Sequence, residues 1–271
     1  MQTTGQHQHI KVDNLTICYE DYGQGETPVI FIHGFPFDKS SWQPQLEFLK
    51  SSYRVIAYDV RGFCKSTPED MKASVDLFAK DLISLMDALH IRRAIPCGIS
   101  MGGYIALNAI QHYPDRFSAL VLCNTQAIAD SAEGKEKRYK TIEEIEKNGL
   151  NEFASSFVEK TFSANSHSNK KEMVEHMKNT ILSTPIANIA RTLSALAQRL
   201  ETTSALPGIK VPTLIISSSN DTLIAPQQSE LMHEKIHNSH YHIIKDAGHI
   251  SNLDQPAEFN RVLKDFLDRL E

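Results

Sequence analysis

The pentapeptide Gly98-Ile-Ser100-Met-Gly102, backed by Gly103, leaves this chain few folds to choose from. It stands between a β-rich run at residues 94–97 and a helical pattern from Tyr104 onward. A strand-to-helix turn this tight strains the serine backbone and calls for glycine on both sides, where the chain folds back against itself. The serine oxygen then projects from the sheet, and the helix N-terminus beneath it offers N–H groups to an anion. A lone Gly-x-Ser-x-Gly can also be a glycine-rich turn with a capping serine. The strand and helix on either side favour the nucleophile, and Ser100 is read as one.

The rest of the chain supplies such a sheet. Residues 10–22 read as a pair of strands. Continuous apolar runs at residues 28–33, 53–59, 94–97 and 118–124 have the form of strands buried on both faces. Helical patterns at residues 41–50, 73–90 and 101–113 alternate with them, which predicts a mostly parallel sheet wrapped by helices. The rhythm breaks from Gln126 to Leu206, where helices are expected at residues 134–148, 150–160, 169–182 and 185–200. The last begins with Thr184 as N-cap and Pro185 at the first helical position. Phe153 and Phe157, and Ile189, Leu193, Leu196 and Leu200, repeat at helical spacing as packing stripes. Strands resume at residues 211–217 and 240–245, and a helix at residues 256–270 closes the chain. The expected organisation is an α/β core of residues 1–125 and 207–271, interrupted by a lid-like helical insertion, residues 126–206.

A serine nucleophile needs a base, and the base needs an orienting acid, in the chain order serine, acid, histidine. His249, in Asp246-Ala-Gly-His249, follows the last expected strand, and Asp221 follows the one before. Both side chains then emerge at strand ends on the same edge of the sheet as Ser100. Asp246 is the rival acid, but it lies only three residues before His249. His33-Gly-Phe-Pro36 follows the first deeply buried strand, so the backbone N–H of Phe35 can join that of Met101 in an oxyanion hole. Pro36 cannot donate and only stiffens the loop. His33 is read as a structural side chain of that loop. Trp42, the sole tryptophan, is divided between core packing and the wall of a substrate-binding pocket.

Composition narrows the partners. With 33 acidic against 28 basic residues the net charge is −5, which argues against nucleic acid and anionic membranes and for a small-molecule substrate. Cys18, Cys64, Cys97 and Cys123 show no paired spacing, so neither a zinc cage nor a disulfide framework is expected, and a reducing compartment is. The N-terminal residues are polar, and no apolar run approaches the ~18 residues of a membrane span; a cytoplasmic protein is expected. His7/His9 and His240/His242 share strand faces in pairs but have no acid or cysteine cluster beside them, so no metal is expected. No phosphate-binding glycine motif accompanies the β–α turns, and no cofactor is expected.

Taken together, His33-Gly-Phe-Pro36, Asp59-Val-Arg-Gly62-Phe-Cys-Lys-Ser66, Gly98-Ile-Ser-Met-Gly102, Asp221 and His249 resemble the α/β-hydrolase fold superfamily over residues 15–270. The nearest likeness is to small esterases and lactonases, including 3-oxoadipate enol-lactonase-like proteins and cofactor-free perhydrolases. The resemblance implies an eight-stranded, mostly parallel sheet with a helical cap after the sixth strand. It also implies a serine hydrolase that cleaves a carboxylic ester or lactone through an acyl-enzyme. Asp59 and Arg61 read as structural, and Cys64 departs from the glycine that relatives usually carry. Relatives acting on dicarboxylate lactones need a cationic contact. Arg138, Lys140 or Arg191 could supply it, though each reads first as a helix-surface charge. Three alternatives stay open: a perhydrolase or haloperoxidase, a C–C hydrolase on the same triad, and a hydrolase-fold ligand receptor with little turnover. Serine at the elbow counts against haloalkane dehalogenases and epoxide hydrolases, which use aspartate there. A homo-oligomer is also left open.

Overall fold

The computed structural model describes residues 5–68 and 73–270. Their apolar runs assemble into one sheet. Its strands are β1 (Gly5–Val12), β2 (Leu15–Tyr22), β3 (Val29–Ile32), β4 (Val55–Tyr58), the two-residue β5 (Thr67–Pro68), β6 (Ile95–Ile99), β7 (Leu120–Cys123), β8 (Thr213–Ser218) and β9 (Ser239–Ile244). The order across the sheet is β1-β2-β4-β3-β6-β7-β8-β9, with β5 paired to β2. The β1–β2 hairpin and the β2–β4 pair are antiparallel, whereas β4-β3-β6-β7-β8-β9 is parallel throughout. The mostly parallel sheet expected from the resemblance is present, with eight strands on its main path.

Successive strand residues face opposite sides, so each central strand feeds two cores at once. Ile30 and Ile32 enter one cluster, as do Ile56 and Tyr58, and Leu120 and Leu122. Val29 and Phe31 enter the other, with Val55 and Ala57, and Val121 and Cys123. On the first face lie α2 (Val75–Ala88) and α3 (Met101–His112), following α1 (Gln43–Leu49) in the chain. The buried face of α2 runs through Val75, Phe78, Leu82 and Leu85, leaving Leu77 and Leu89 at its margin. Helix α1 covers the second face with Leu46 and Leu49, and is joined there by the C-terminal helix.

The insertion follows the sixth strand of the main path. It holds α4 (Ala132–Asn148), α5 (Asn151–Thr161), α6 (Ala164–Asn169), α7 (Lys171–Ser183) and α8 (Ile186–Gln198). Helix α6 was absent from the sequence reading, being a short polar turn capped by the Ser163 hydroxyl. Two expectations need correction here. Thr184 does not cap α8: its hydroxyl donates to Thr180 O and so finishes α7. Leu200 does not extend the apolar stripe of α8, which ends at Gln198, and it is 80% exposed. The chain leaves the helix at Arg199 because that guanidinium is held elsewhere. It donates to Asp130 and to Ile128 O, and stacks 4.2 Å over the Tyr104 ring of α3. A bond from Thr202 N to Ala127 O (2.8 Å) joins the two ends of the insertion beside it.

After β8, helix α9 (Pro226–Lys235) leads into β9, and α10 (Ser251–Asp254) and α11 (Pro256–Leu267) finish the chain. Phe259, Leu263 and Phe266 of α11 seal the second core. Each apolar side chain buried this fully contributes about 1.5–3 kcal/mol. No helix among the described residues is long and apolar enough to cross a membrane.

Candidate active site

Strand β6 runs two residues past its expected end, to Ile99, and α3 begins at Met101. Ser100 alone therefore makes the turn, at φ 53° and ψ −115°. A non-glycine residue held there carries strain of about 1–3 kcal/mol, sustained because the surroundings leave it no alternative. A Cβ on Gly98 would stand 2.2 Å from Gly102 O, and one on Gly102 would stand 2.1 Å from Ile32 O. Both glycines are thus required by backbone contact. The turn is pinned by Ser100 N donating to Cys123 O (2.9 Å) and by the Thr125 hydroxyl donating to Ser100 O (2.8 Å).

The other two sequence-read residues meet. His249 Nδ1 lies 2.8 Å from Asp221 Oδ2, with side chains only 2% and 1% exposed. An ionised carboxylate only accepts, so the imidazole proton sits on Nδ1 and Nε2 is left as the basic nitrogen. Asp221 Oδ1 accepts from Leu223 N (2.8 Å) and Ile224 N (3.0 Å). Burial by itself would raise the Asp221 carboxyl, but His249, the Ile224 N–H and the Asn124 amide hold it below the usual carboxylate range. Asp246, the rival acid, stands exposed at φ 53°, its N–H donating to Ser219 Oγ.

Several residues of this network escaped the sequence reading. Asn124 Nδ2 donates to Asp221 Oδ2 (3.0 Å) and to Ser218 Oγ (2.6 Å), while its Oδ1 accepts from Ser251 Oγ (2.6 Å). The Ser218 hydroxyl goes on to Gly248 O, next to the histidine. Asp254, wholly buried, holds that loop from the other side by accepting from Gly248 N (2.7 Å) and Ser166 Oγ (2.5 Å). The sequence signal for Asn124 was its place at the end of β7, beside the strand that delivers Asp221. Without a carboxylate it gives no sequence sign of an acid.

The loop after β3 packs on the elbow, with a Cβ on Gly34 falling 3.3 Å from Ser100 Cβ. His33 is buried; its Nε2 accepts from Val60 N (2.9 Å), which leaves Nδ1–H for Gly34 O (3.1 Å). Burial pushes this imidazole down, keeping it neutral in its structural role. Phe37 N closes the loop onto Gly34 O, and the Phe35–Pro36 bond within it is cis. Met101 is the first residue of α3, where N–H groups have no intrahelical acceptor, and Gly103 N and Tyr104 N both turn to Ser100 O.

Trp42 requires correction as a substrate-binding candidate. Its side chain is 0% exposed, with ring centroids 4.8 Å from Phe31 and 5.9 Å from Phe259, so its indole meets core on both sides. Asp59 takes Lys39 Nζ at 2.8 Å, and Arg61 grips Asp81 through Nε and Nη2, as structural residues do. Cys64 sits at φ 45°, the left-handed region that favours glycine, and the turn forms with cysteine all the same. Its thiol lies within 4.8 Å of the Asp38 and Asp59 carboxylates, the one such group of metal-ligand atoms among the described residues. Both carboxylates already serve the protein, Asp59 with Lys39 and Asp38 with Ser40 N. The His-x-His pairs diverge: His242 bonds Glu258 (2.9 Å), and His7 lies 3.7 Å from Glu20.

An α/β sheet that presents a strained serine at a strand-to-helix turn and carries a buried aspartate–histidine pair on the loops after its last two strands has the form of a hydrolase scaffold. The chain belongs to the alpha/beta hydrolase fold family, which it matches over residues 27–256. It is 30% identical to 3-oxoadipate enol-lactonase 1 of Acinetobacter baylyi, over 94% of each chain. Among solved structures it superposes on an esterase from Thermogutta terrifontis with a TM-score of 0.93 and 31% identity, covering 97% of this chain and 99% of the other. A bromoperoxidase from Bacillus anthracis matches with a TM-score of 0.86 and 26% identity, over 96% of this chain and 100% of that one.

Proposed function

We propose that this chain hydrolyses carboxylic esters or lactones through an acyl-enzyme on Ser100. The observation that carries the reading is the buried Asp221–His249 pair, 2.8 Å apart, on strand ends of the sheet whose elbow presents Ser100. The Ser100 oxygen attacks the carbonyl carbon as His249 Nε2 takes its proton. Asp221 holds the ring and stabilises the imidazolium. The backbone N–H groups of Phe35 and Met101 bind the developing oxyanion. His249 then hands its proton to the leaving alcohol, and for a lactone that alcohol stays attached to the acyl group. Water, deprotonated by His249, cleaves the acyl-enzyme. Residues 126–206 act as a cap over this site. The enol-lactonase and esterase relatives support the reaction class.

Turnover of a p-nitrophenyl ester series, acetate to octanoate, tests the reading; a wild-type protein inert to the whole series and to simple lactones overturns it. Asp221, held below the usual carboxylate range, is expected to stay ionised from pH 5 to pH 8, so its protonation removes no activity there. An Asp221 carboxyl that titrates within that interval, followed by NMR, would overturn this.

Asn124→Ala is expected to lower kcat about 10-fold or more. It removes a hydrogen bond to a charged group, an interaction of about 1.5–3 kcal/mol, and frees Asp221 to tilt. Because the amide helps hold the Asp221 carboxyl down, that carboxyl should titrate at higher pH in the variant than in wild type, as NMR of the carboxyl would show. Wild-type kcat and an unmoved Asp221 carboxyl in the folded variant would reduce Asn124 to a packing residue.

Perhydrolysis on the same residues is the second reading. The bromoperoxidase relative and Pro36, directly after Phe35, favour it. Peroxide-dependent halogenation of a phenol dye, run beside ester hydrolysis, decides between them.

A further inference from the structure

We infer that the acyl side of the site takes an uncharged, aromatic or bulky apolar group, and not the carboxylate tail of a dicarboxylate lactone; the inference rests on the hydrolytic reading above. Helix α5 lies along the proposed site. At its C-terminal end, Lys160 O accepts from the Thr222 hydroxyl (3.0 Å), next to Asp221. Thr161 O accepts from Ile250 N (3.3 Å), next to His249. Further back, the rings of Phe157 and Phe153 stand 6.1 and 6.3 Å from the ring of Phe35, whose backbone N–H is the proposed oxyanion donor. One helix therefore runs from the acid and base loops to the oxyanion loop.

The residues α5 turns toward the molecule are Phe153, Ala154, Phe157, Val158 and Thr161; Glu152, Ser155, Glu159 and Lys160 are exposed. Phe153 and Phe157 are half-buried and pack on each other at 5.7 Å, so part of each ring surface is left uncovered. A phenyl group meets such rings in edge-to-face or offset contact, whereas a carboxylate would lose water there and gain no donor.

The cations that might have offset that loss are engaged or turned outward. Asp130 holds both Arg138 and Arg199, through Oδ2 and Oδ1. Lys140 pairs with Glu136, and Arg191 is exposed. Of Arg138, Lys140 and Arg191, expected as helix-surface charges, Lys140 and Arg191 are so, while Arg138 serves the base of the insertion.

The test compares kcat/KM for p-nitrophenyl phenylacetate, p-nitrophenyl acetate and the mono-p-nitrophenyl ester of adipic acid, in wild type, Phe157→Ala and Phe157→Leu. Phenylacetate is expected to exceed the adipate monoester by roughly 10-fold or more, the range that one well-placed apolar contact supplies. The phenylacetate-to-acetate ratio should fall in both variants, less in the leucine variant, which keeps the apolar packing. An adipate monoester used as well as phenylacetate overturns the substrate class and leaves the hydrolase reading standing. A ratio unmoved in both folded variants takes the role from α5. Wild type inert to all three esters sinks the hydrolytic reading and this inference together.

Discussion

Ser100→Ala is expected to lower kcat for a p-nitrophenyl ester by roughly 10³–10⁶-fold, with the fold intact. The alanine keeps the Cβ and the strained φ of 53°, so the elbow is unchanged and only the attacking oxygen is lost. At about 1.4 kcal/mol per decade, the loss amounts to roughly 4–8 kcal/mol of transition-state stabilisation. His249→Ala should cost a similar amount, and the double variant should be hardly worse, because nucleophile and base act in one step. Residual turnover above water would come from oxyanion donors and binding alone. Single-turnover and steady-state rates of the three variants, with a thermal melt for each, check this. Near-normal turnover in Ser100→Ala, or effects that multiply in the double variant, would dismantle the acyl-enzyme scheme.

Asp221→Asn is expected to lower kcat by about 10⁴-fold, although it replaces a single oxygen by an NH₂ group. The reason is local. Oδ1 accepts two backbone N–H groups, from Leu223 and Ile224, so the carbonyl oxygen of an asparagine must settle there. Its NH₂ then occupies the Oδ2 position, facing two donors, His249 Nδ1–H and Asn124 Nδ2. The imidazole can relieve that conflict only by moving its proton to Nε2, which removes the basic lone pair. Activity across the pH range, compared with Ser100→Ala, checks the result. The same substitution at exposed Asp246, whose N–H bonds Ser219, should leave kcat unchanged. A drop of less than tenfold in Asp221→Asn, or an equal drop at Asp246, would assign the acid wrongly.

How far the sequence reached depends on how local each cause was. The elbow was legible because Gly98, Ser100 and Gly102 are neighbours in the chain and the demand on Gly98 acts within one turn, through Gly102 O, whereas the demand on Gly102 comes from Ile32 O of β3. The strands were legible from period and length, and their ends erred where a motif looked like a loop. Gly98 and Ile99 belong to β6, although glycine and the turn beyond suggested otherwise. Helix ends erred where a distant partner decided them, as when Asp130 draws Arg199 out of α8 and leaves Leu200 in solvent. Thr184 looked like an N-cap, yet its hydroxyl found Thr180 one turn earlier.

What the sequence determined by itself was the larger elements (the short β5, α6 and α10 excepted), their α/β alternation, the helical insertion and the chemical types of the candidate residues, since each follows from short-range pattern. Tertiary structure alone decided which of these residues meet. Asp221 and not Asp246 reaches His249, because parallel pairing of β8 with β9 sets their two loops side by side. Asn124 joins them because β7 lies next to β8 in the sheet, although 97 residues separate it from Asp221. Trp42 went to the core because Phe31 and Phe259, far apart in the chain, close on it from two sides. Hydrophobic period and turn geometry act over a few residues, whereas a hydrogen bond or a ring contact between elements exists only once the sheet has brought their backbones together.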